Sequence, residues 1–206
     1  MNIKLGFVLL CLSGIALFIS FHILELSKKS ALEPTPAAAL LSVDVPLALD
    51  MRLKSAGCVA AGPLPDHDCT PGEVFTEAGL DDICTPGYAS SARNVSVTLK
   101  KKVYSAYDIA YPQAKGEYEV DHLIPLELGG DNSIANLFPE SAEPTPGFHE
   151  KDLVENYLHD QACAGAIPLH TAQMQIATNW LLIYNALTPE EIKQLKAEFS
   201  AFGGGQ

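Results

Sequence analysis

The residues best suited to chemistry lie near the middle of the 206-residue chain, where Asp121 is followed directly by His122. Cleavage of a phosphodiester requires a base that takes a proton from water and a cation beside the phosphate oxygens. An imidazole can act as that base, and a carboxylate can bind a divalent cation. We therefore predict that His122 activates water and that Asp121 is a metal ligand.

Asn136 lies fourteen residues after His122. The carbonyl oxygen of its side chain could accept the ring N–H of His122 and leave the other ring nitrogen free as a proton acceptor. Asn136 is therefore the second candidate for a catalytic role, as a residue that orients the base.

Two short strands and a helix are predicted to position these residues. Residues 118–124 are rich in strand formers, and the Gly129-Gly130 pair marks a turn. Residues 134–138 can then return as a second strand. A helix begins near Phe148, because apolar residues recur behind it at helical spacing.

Further helices and an irregular region are predicted on either side of this segment. Residues 52–87 are dense in Gly, Pro, Asp and Cys, which indicates irregular structure. Residues 90–107 are expected to form a helix, or a strand followed by a helix. Residues 171–184 repeat apolar side chains at helical spacing, and Thr188 opens a helix that runs to about Phe199.

The segment from Glu119 to Asn156 resembles the HNH, or ββα-metal, nuclease family. The resemblance rests on Asp121-His122, Pro125-Leu126, Gly129-Gly130 and Asn136-Leu137. It implies an α+β fold with a ββα-metal core, one divalent ion held by Asp121, His122 as general base, and Asn136 as the residue that orients the loop carrying the base. Over roughly residues 69–185 the chain is also similar to an exported bacterial subgroup of HNH-signature proteins.

The third residue of the HNH pattern is displaced in this chain. A His or Asn is expected about nine residues after Asn136, but Thr145 occupies that position. His149, at the start of the predicted helix, is our candidate for the second metal ligand, and Asn156 is the alternative. A site of this type accepts Mg²⁺, Mn²⁺, Ni²⁺ or Zn²⁺, so the identity of the metal stays open.

Acidic residues outnumber basic ones in this chain. It has 13 Lys and Arg, 25 Asp and Glu, and a formal net charge of −12. This balance argues against tight, non-specific coating of nucleic acid. Nucleic acid is therefore expected only as a transient substrate, bound through a local patch of Arg93, Lys100, Lys101 and Lys102. Lys151 is predicted either to contact phosphate or to form a helix-surface ion pair with Glu155.

Four cysteines follow the N-terminal segment, and no two of them form a CxxC pair. They are Cys58, Cys69, Cys84 and Cys163. Zinc sites favour closely spaced thiolates, so we predict two disulfides in an oxidising compartment rather than one zinc site built from all four. Four cysteines allow three connectivities, and the sequence does not choose among them.

Residues 5–24 are almost continuously apolar, and twenty residues are about the length of a membrane-spanning helix. An uncleaved anchor is our first interpretation, and a cleaved signal peptide is the second. The domain is then exported, either anchored in the inner membrane and facing the periplasm or secreted. The predicted organisation is an anchor or signal segment (1–26), a linker (27–50), an HNH-like nuclease domain (51–200, core 117–160) with additional packed helices, and a flexible tail (201–206).

The function predicted from these features is metal-dependent hydrolysis of DNA or RNA phosphodiesters outside the cytoplasm. The alternative is a membrane-anchored binding or structural domain that keeps the same scaffold without catalysis. The acidic charge favours the alternative, whereas the Asp121-His122 pair with Asn136 favours the enzyme. An exported toxin-like nuclease is a third possibility.

Overall fold

The computed structural model describes residues 49–201, with side chains up to Glu198. The predicted anchor or signal segment (1–26), nearly all of the linker (27–50) and the tail after residue 201 lie outside the described residues. Within residues 49–201, no helix has the length and apolar character needed to cross a bilayer.

The described residues form six α-helices and a small two-stranded sheet, which confirms the α+β class. Residues 49–79 contain only isolated β-bridges, as the dense Gly and Pro content predicted. The elements are α1 (Leu80–Ile83), α2 (Tyr88–Ala92), α3 (Val97–Ala106), β1 (Tyr118–His122), a 3₁₀ turn (Leu126–Leu128), β2 (Leu137–Ser141), α4 (Phe148–Cys163), α5 (Leu169–Ala186) and α6 (Pro189–Ala201).

The two strands form an antiparallel hairpin in which Glu119 lies opposite Glu140 and Asp121 lies opposite Phe138. Residues opposite one another in a sheet share a face, and side chains alternate between the two faces along each strand. One face of the hairpin therefore carries three carboxyl groups and Phe138. The other face carries His122 together with apolar side chains.

Helices cover both faces of this hairpin. On the His122 face, Val103 and Tyr104 of α3 pack against the strands. On the opposite face, Phe138 enters the main hydrophobic core together with apolar side chains of α4. Asp121 and His122 are adjacent in sequence, but they point into different surroundings.

The second strand begins three residues later than the sequence predicted, at Leu137 instead of residue 134. Turn hydrogen bonds occupy the intervening backbone, because Ser133 donates to the Asp131 carboxylate and Asn136 donates to the carbonyl of Ser133. A polar side chain that bonds to nearby backbone in this way competes with strand pairing. The strand can therefore start only after Asn136.

The C-terminal helices build most of the core. α4 packs against both α5 and α6, and Trp180 of α5 is completely buried, as its position on the predicted apolar stripe required. The predicted start of α6 is confirmed. The hydroxyl and the backbone N–H of Thr188 both donate to the carboxylate of Glu191, and the backbone N–H of Glu191 donates back to the hydroxyl.

Two disulfides are present, as predicted from the four cysteines. Cys58 pairs with Cys69 inside the irregular N-terminal region. Cys84 pairs with Cys163, and this bond joins the end of α1 to the last residue of α4. The second disulfide ties the irregular region to the helices that form the core.

Candidate functional site

Lys151 of α4 is completely buried, and its ammonium group meets three oxygen acceptors. It donates to the carboxylate of Asp121 at 2.6 Å and to the backbone carbonyl of His122 at 2.7 Å. The third acceptor is the carboxylate of Glu155, one turn further along α4. An ammonium group has three N–H donors, so these contacts use all of them.

The burial of Lys151 corrects both predictions made for this residue. The ion pair with Glu155 forms, but it lies in the interior and not on the helix surface. The side chain has no exposed surface, so it has no atom to offer to a phosphate. Lys151 thus places its positive charge beside Asp121, the residue that we predicted to be a metal ligand.

The Lys151 ammonium lowers the pKa values of the surrounding carboxyl groups, but burial opposes it to different extents. Burial acts to raise the pKa of Asp121, but the charge and hydrogen bond of Lys151 outweigh burial and hold that pKa below its usual range. Burial raises the pKa of Glu140 and of Glu155 well above the usual range, despite the same ammonium. The central ion pair is therefore Lys151 with Asp121.

Glu140 completes this group of buried acids from β2. Its side chain is 1% exposed, and its carboxyl group shares a hydrogen bond with the carboxyl group of Asp121 on the neighbouring strand. This hydrogen bond lowers the pKa of Asp121 and raises that of Glu140, so the proton of the pair belongs to Glu140.

His122 is 1% exposed, and its ring nitrogen Nε2 lies 3.2 Å from the side-chain oxygen of Asn132. The amide group of Asn132 is itself held in one orientation. Its nitrogen donates to the carbonyl of Ala92, and its oxygen accepts the backbone N–H of Asn94. Because this oxygen can only accept, Nε2 of His122 carries the proton, and Nδ1 is the nitrogen that can take up another.

The imidazole of His122 is neutral at physiological pH. Burial lowers its pKa to about 4, although the neighbouring Asp121 carboxylate acts to raise it. A neutral imidazole of fixed tautomer can accept a proton, but a pKa of about 4 makes it a weaker base than a histidine whose pKa lies near the operating pH.

The side-chain hydrogen bonds of Asn136 in the described structure do not include one with the ring of His122. The hydrogen bond that we predicted is replaced by one that the ring nitrogen Nε2 donates to the side-chain oxygen of Asn132. Asn136 instead spans the loop between the strands. Its side-chain oxygen accepts the backbone N–H of Ile124, and its nitrogen donates to the carbonyls of Ile124 and Asp131. The geometry is that of a residue that orients the loop, which is the role that the HNH resemblance implied for it.

Arg93 is the predicted phosphate-binding residue whose charge reaches His122 in the fold. It is exposed at the end of α2, and its positive charge acts on His122, Glu119 and Asp152. The other cations of the predicted patch lie on α3 and are exposed. One of these, Lys101, stacks over the ring of Tyr111 at 5.3 Å.

Two more carboxyl groups lie close to Asp121, one on β1 and one on α4. Burial, reinforced by the negative charge of Asp121, raises the pKa of Glu119 to about 7 and that of Asp152 to about 7. Like charges in a partly buried group disfavour ionisation of all its members. Arg93 and Lys151 act in the opposite direction on both groups.

The predicted metal ligands do not fit a divalent ion in this arrangement. Asp121 is paired with the Lys151 ammonium, and His149 is exposed with its ring against that of Phe148, 4.2 Å between centroids. The alternative ligand, Asn156, donates its side-chain N–H to the carbonyl of Asp152 on its own helix. Within residues 49–198, these side chains do not converge as a group of three or more His, Cys or acidic donors around one point.

One group of described side chains does have the spacing of a metal site. The ligand atoms of Cys84, His159 and Cys163 lie within 4.8 Å of one another and could hold a metal ion. In the described structure the two sulfurs are joined in the disulfide, whereas metal binding requires thiolates. Metal binding at this group therefore requires the reduced form, and the group is separate from the Asp121 cluster.

Three members of the candidate site were not identified from the sequence as parts of it. They are Asn132, Glu140 and, in its actual role, Lys151. Asn132 belongs to the predicted Gly-Gly-Asp-Asn turn. Its contact with α2, 40 residues earlier in the chain, could not be predicted from the sequence. For Lys151 the available signal was its position one helical turn before Glu155.

No known family, curated protein or solved structure shows significant similarity to the chain.

Proposed function

We propose that this protein hydrolyses phosphodiester bonds of DNA or RNA, with His122 as the general base. The observation that supports this most directly is the state of the His122 ring. The ring is neutral, its tautomer is fixed by Asn132, and it lies within the electrostatic influence of the exposed residue Arg93.

His122 takes the proton of the attacking water on Nδ1 while the water oxygen bonds to phosphorus. The bond from phosphorus to the leaving oxygen breaks, and the imidazolium returns the proton to that oxygen. Asn132 holds the ring from the other side through Nε2, so the ring does not have to reorient before the proton moves. The neighbouring Asp121 carboxylate favours the imidazolium that results from proton transfer. Lys151 fixes the backbone carbonyl of His122 and therefore acts on the position of the base.

Arg93 supplies the positive charge for the substrate. A guanidinium group can donate two parallel hydrogen bonds to a phosphate, and Arg93 is exposed and close enough to act on His122 electrostatically. It would hold the scissile phosphate and offset the charge that develops on its oxygens. The carboxyl groups of Glu119 and Asp152 lie in the same field and oppose tight binding of an anion.

A nuclease assay on the purified chain tests this function. Supercoiled plasmid and single-stranded RNA are incubated with the wild type, His122→Ala and Asn132→Ala, each with Mg²⁺, Mn²⁺, Zn²⁺ or EDTA. Loss of the base is expected to lower the cleavage rate by about 10²–10⁴-fold, and loss of Asn132 should lower it less. The matched control is His149→Ala, which removes an exposed histidine and should cleave at close to the wild-type rate.

Wild-type cleavage by a folded His122→Ala variant would overturn the proposed mechanism. The second candidate function, a binding or structural domain without catalysis, is favoured by the burial of His122, which is only 1% exposed. Under that function, none of the proteins cleaves either nucleic acid under any of the four conditions.

A further inference from the structure

We propose that the disulfide between Cys84 and Cys163 and a zinc site are two alternative states of the same side chains. After reduction of the bond, the thiolates of Cys84 and Cys163 and the imidazole of His159 bind one Zn²⁺ ion. The donor atoms of these three residues already lie within 4.8 Å of one another. The inference does not rest on the hydrolysis of phosphodiesters, and the residues around Asp121 take no part in it.

The spacing of the donor atoms fits a single ion. Zinc binds sulfur at about 2.3 Å and imidazole nitrogen at about 2.0–2.1 Å, so two ligands of a tetrahedral ion lie roughly 3.5–3.8 Å apart. The 3.4 Å between Nε2 of His159 and Sγ of Cys163 is close to that separation. The Cα atoms of Cys84 and Cys163 are 5.7 Å apart, so both sulfurs stay within reach of one ion once the bond between them is broken.

Two of the three ligands lie on one face of α4. His159 and Cys163 are four residues apart, so they are neighbours on consecutive helical turns. Pairs of ligands at this spacing on one helix are used by zinc enzymes. The third ligand, Cys84, follows the last residue of α1 as its C-terminal cap. The helix therefore presents two ligands in a fixed orientation, and the end of α1 contributes the third.

The surroundings of the His159 ring suit a metal ligand. Its nitrogen Nε2 faces the sulfur of Cys163, and its nitrogen Nδ1 lies 3.5 Å from a carboxylate oxygen of Asp160. Histidines that bind metals usually donate the second ring N–H to a carboxylate, a carbonyl or water, which fixes the ring and its tautomer. A proton on Nδ1, beside Asp160, leaves the lone pair of Nε2 directed towards the sulfurs. This contact supports a metal ligand independently of the spacing of the cysteines.

Contacts other than the disulfide hold Cys84 near α4. The preceding residue, Ile83, is 3% exposed, and its Cδ1 atom lies against Gly129, where an added Cβ would be 2.8 Å away. The helix α1 packs against the 3₁₀ turn of Leu126–Leu128, and that turn packs against α4. Reduction therefore removes one crosslink but leaves the packing that brings the three ligands together.

A small thiol such as glutathione supplies the two electrons. Two thiol molecules are oxidised to one disulfide while the bond between Cys84 and Cys163 is reduced to two thiols. Zn²⁺ then displaces the two thiol protons, which pass to solvent, and binds the two thiolates. All three ligands are half-buried, so a thiol and a hydrated ion can reach them. Two thiolates and an imidazole favour zinc, and a water molecule takes the fourth position.

The redox state of each disulfide in the presence of zinc tests this inference. The full chain is equilibrated in a glutathione redox buffer at increasing free Zn²⁺, its thiols are alkylated, and the peptides that contain each cysteine are quantified by mass spectrometry. The ratio of reduced to oxidised Cys84–Cys163 should rise about 100-fold when free zinc is a hundred times the Kd of the reduced chain. The Cys58–Cys69 bond is the internal control, and its ratio should not change.

Three variants that keep both disulfides locate the site, and circular dichroism checks that each is folded. Asp160→Asn should weaken zinc binding by about 10–100-fold, because it frees the ring of His159 without removing it. His159→Ala removes a ligand and should weaken zinc binding further. The matched control is His149→Ala, which removes an exposed histidine from the same helix and should respond to zinc as the wild type does.

Three results would overturn the inference. The first is a ratio of reduced to oxidised Cys84–Cys163 that does not depend on zinc. The second is a His159→Ala protein that responds to zinc as strongly as the wild type. The third is an equal response of both disulfides, which would mean that zinc binds the thiols of an unfolded chain and not a site built by α1 and α4.

Discussion

The charge on the His122 ring is set by two opposing influences. Burial removes water from the imidazole and disfavours its protonated form, whereas the Asp121 carboxylate favours that form. Burial prevails because the negative charge of Asp121 is already matched by Lys151 at 2.6 Å. The charge state of His122 therefore depends on the ion pair between Asp121 and Lys151, which does not include the His122 side chain.

This state predicts how stability responds to acid. The pKa of His122 is about 4 in the folded protein, whereas a histidine outside the fold has a pKa of 6.5. Between these values the unfolded chain binds more protons, so stability falls as the pH drops from 6.5 to 4. The contribution of His122 to this loss is about 3 kcal/mol, and above pH 6.5 it vanishes. Glu119 and Asp152, whose pKa values are raised to about 7, contribute the opposite slope.

Urea unfolding of the wild type and His122→Gln at pH 4, 5.5 and 7 isolates this contribution, because the slopes from Glu119 and Asp152 are common to both proteins. Between pH 7 and pH 4, the free energy of unfolding of the wild type should fall by about 3 kcal/mol more than that of His122→Gln. His67→Ala, which removes an exposed histidine, is measured alongside as the control for loss of a histidine side chain. Parallel curves for the wild type and His122→Gln would contradict the low pKa.

At the residue scale, the sequence predicts which strand carries the candidate residues Asp121 and His122 but not what surrounds them. Asp121 and His122 lie at the end of β1, as the strand formers before them predicted. The partner of Asp121 could not be predicted, since a lysine near the start of a helix is usually solvated. Its burial results from the hairpin and α4 meeting in the fold, a long-range contact that helical spacing does not encode.

At the element scale, the loop between β1 and β2 is held by one side chain and one close backbone approach. Asn136 bonds to both backbone groups of Ile124, which fixes the chain just beyond His122. At Gly130, a Cβ atom would lie 1.7 Å from the carbonyl oxygen of Ile124. The sequence predicted the Gly129-Gly130 turn, but the need for glycine at position 130 comes from this packing and not from the turn conformation.

Gly130→Ala is therefore expected to destabilise the protein by more than about 3 kcal/mol, because rigid backbone, and not a flexible side chain, must move. The matched control is Gly79→Ala, where the added Cβ meets only the far end of Asp82 at 3.6 Å. It should change stability by less than about 1 kcal/mol. Thermal and urea unfolding measure both. A Gly130→Ala protein as stable as Gly79→Ala would show that Gly130 does not lie so close to the Ile124 carbonyl.

At the scale of the whole molecule, the two disulfides act on very different lengths of chain. Cys58 and Cys69 are 11 residues apart, whereas Cys84 and Cys163 are 79 residues apart. The sequence predicted that two bonds form, because four cysteines lack zinc-type spacing. It could not give the pairing, which depends on α1 lying against the end of α4 in the folded protein.

Because a crosslink stabilises by restricting the unfolded chain, the longer loop should contribute more. The expected losses are about 4.5 kcal/mol for the Cys84→Ser, Cys163→Ser double variant and about 3 kcal/mol for Cys58→Ser, Cys69→Ser. Urea unfolding under non-reducing conditions compares the two variants with the wild type. The free energy of unfolding should be lowest for the Cys84→Ser, Cys163→Ser variant. The reverse order would mean that the shorter bond holds native structure, namely the irregular region before α1, and does not act mainly on the unfolded state.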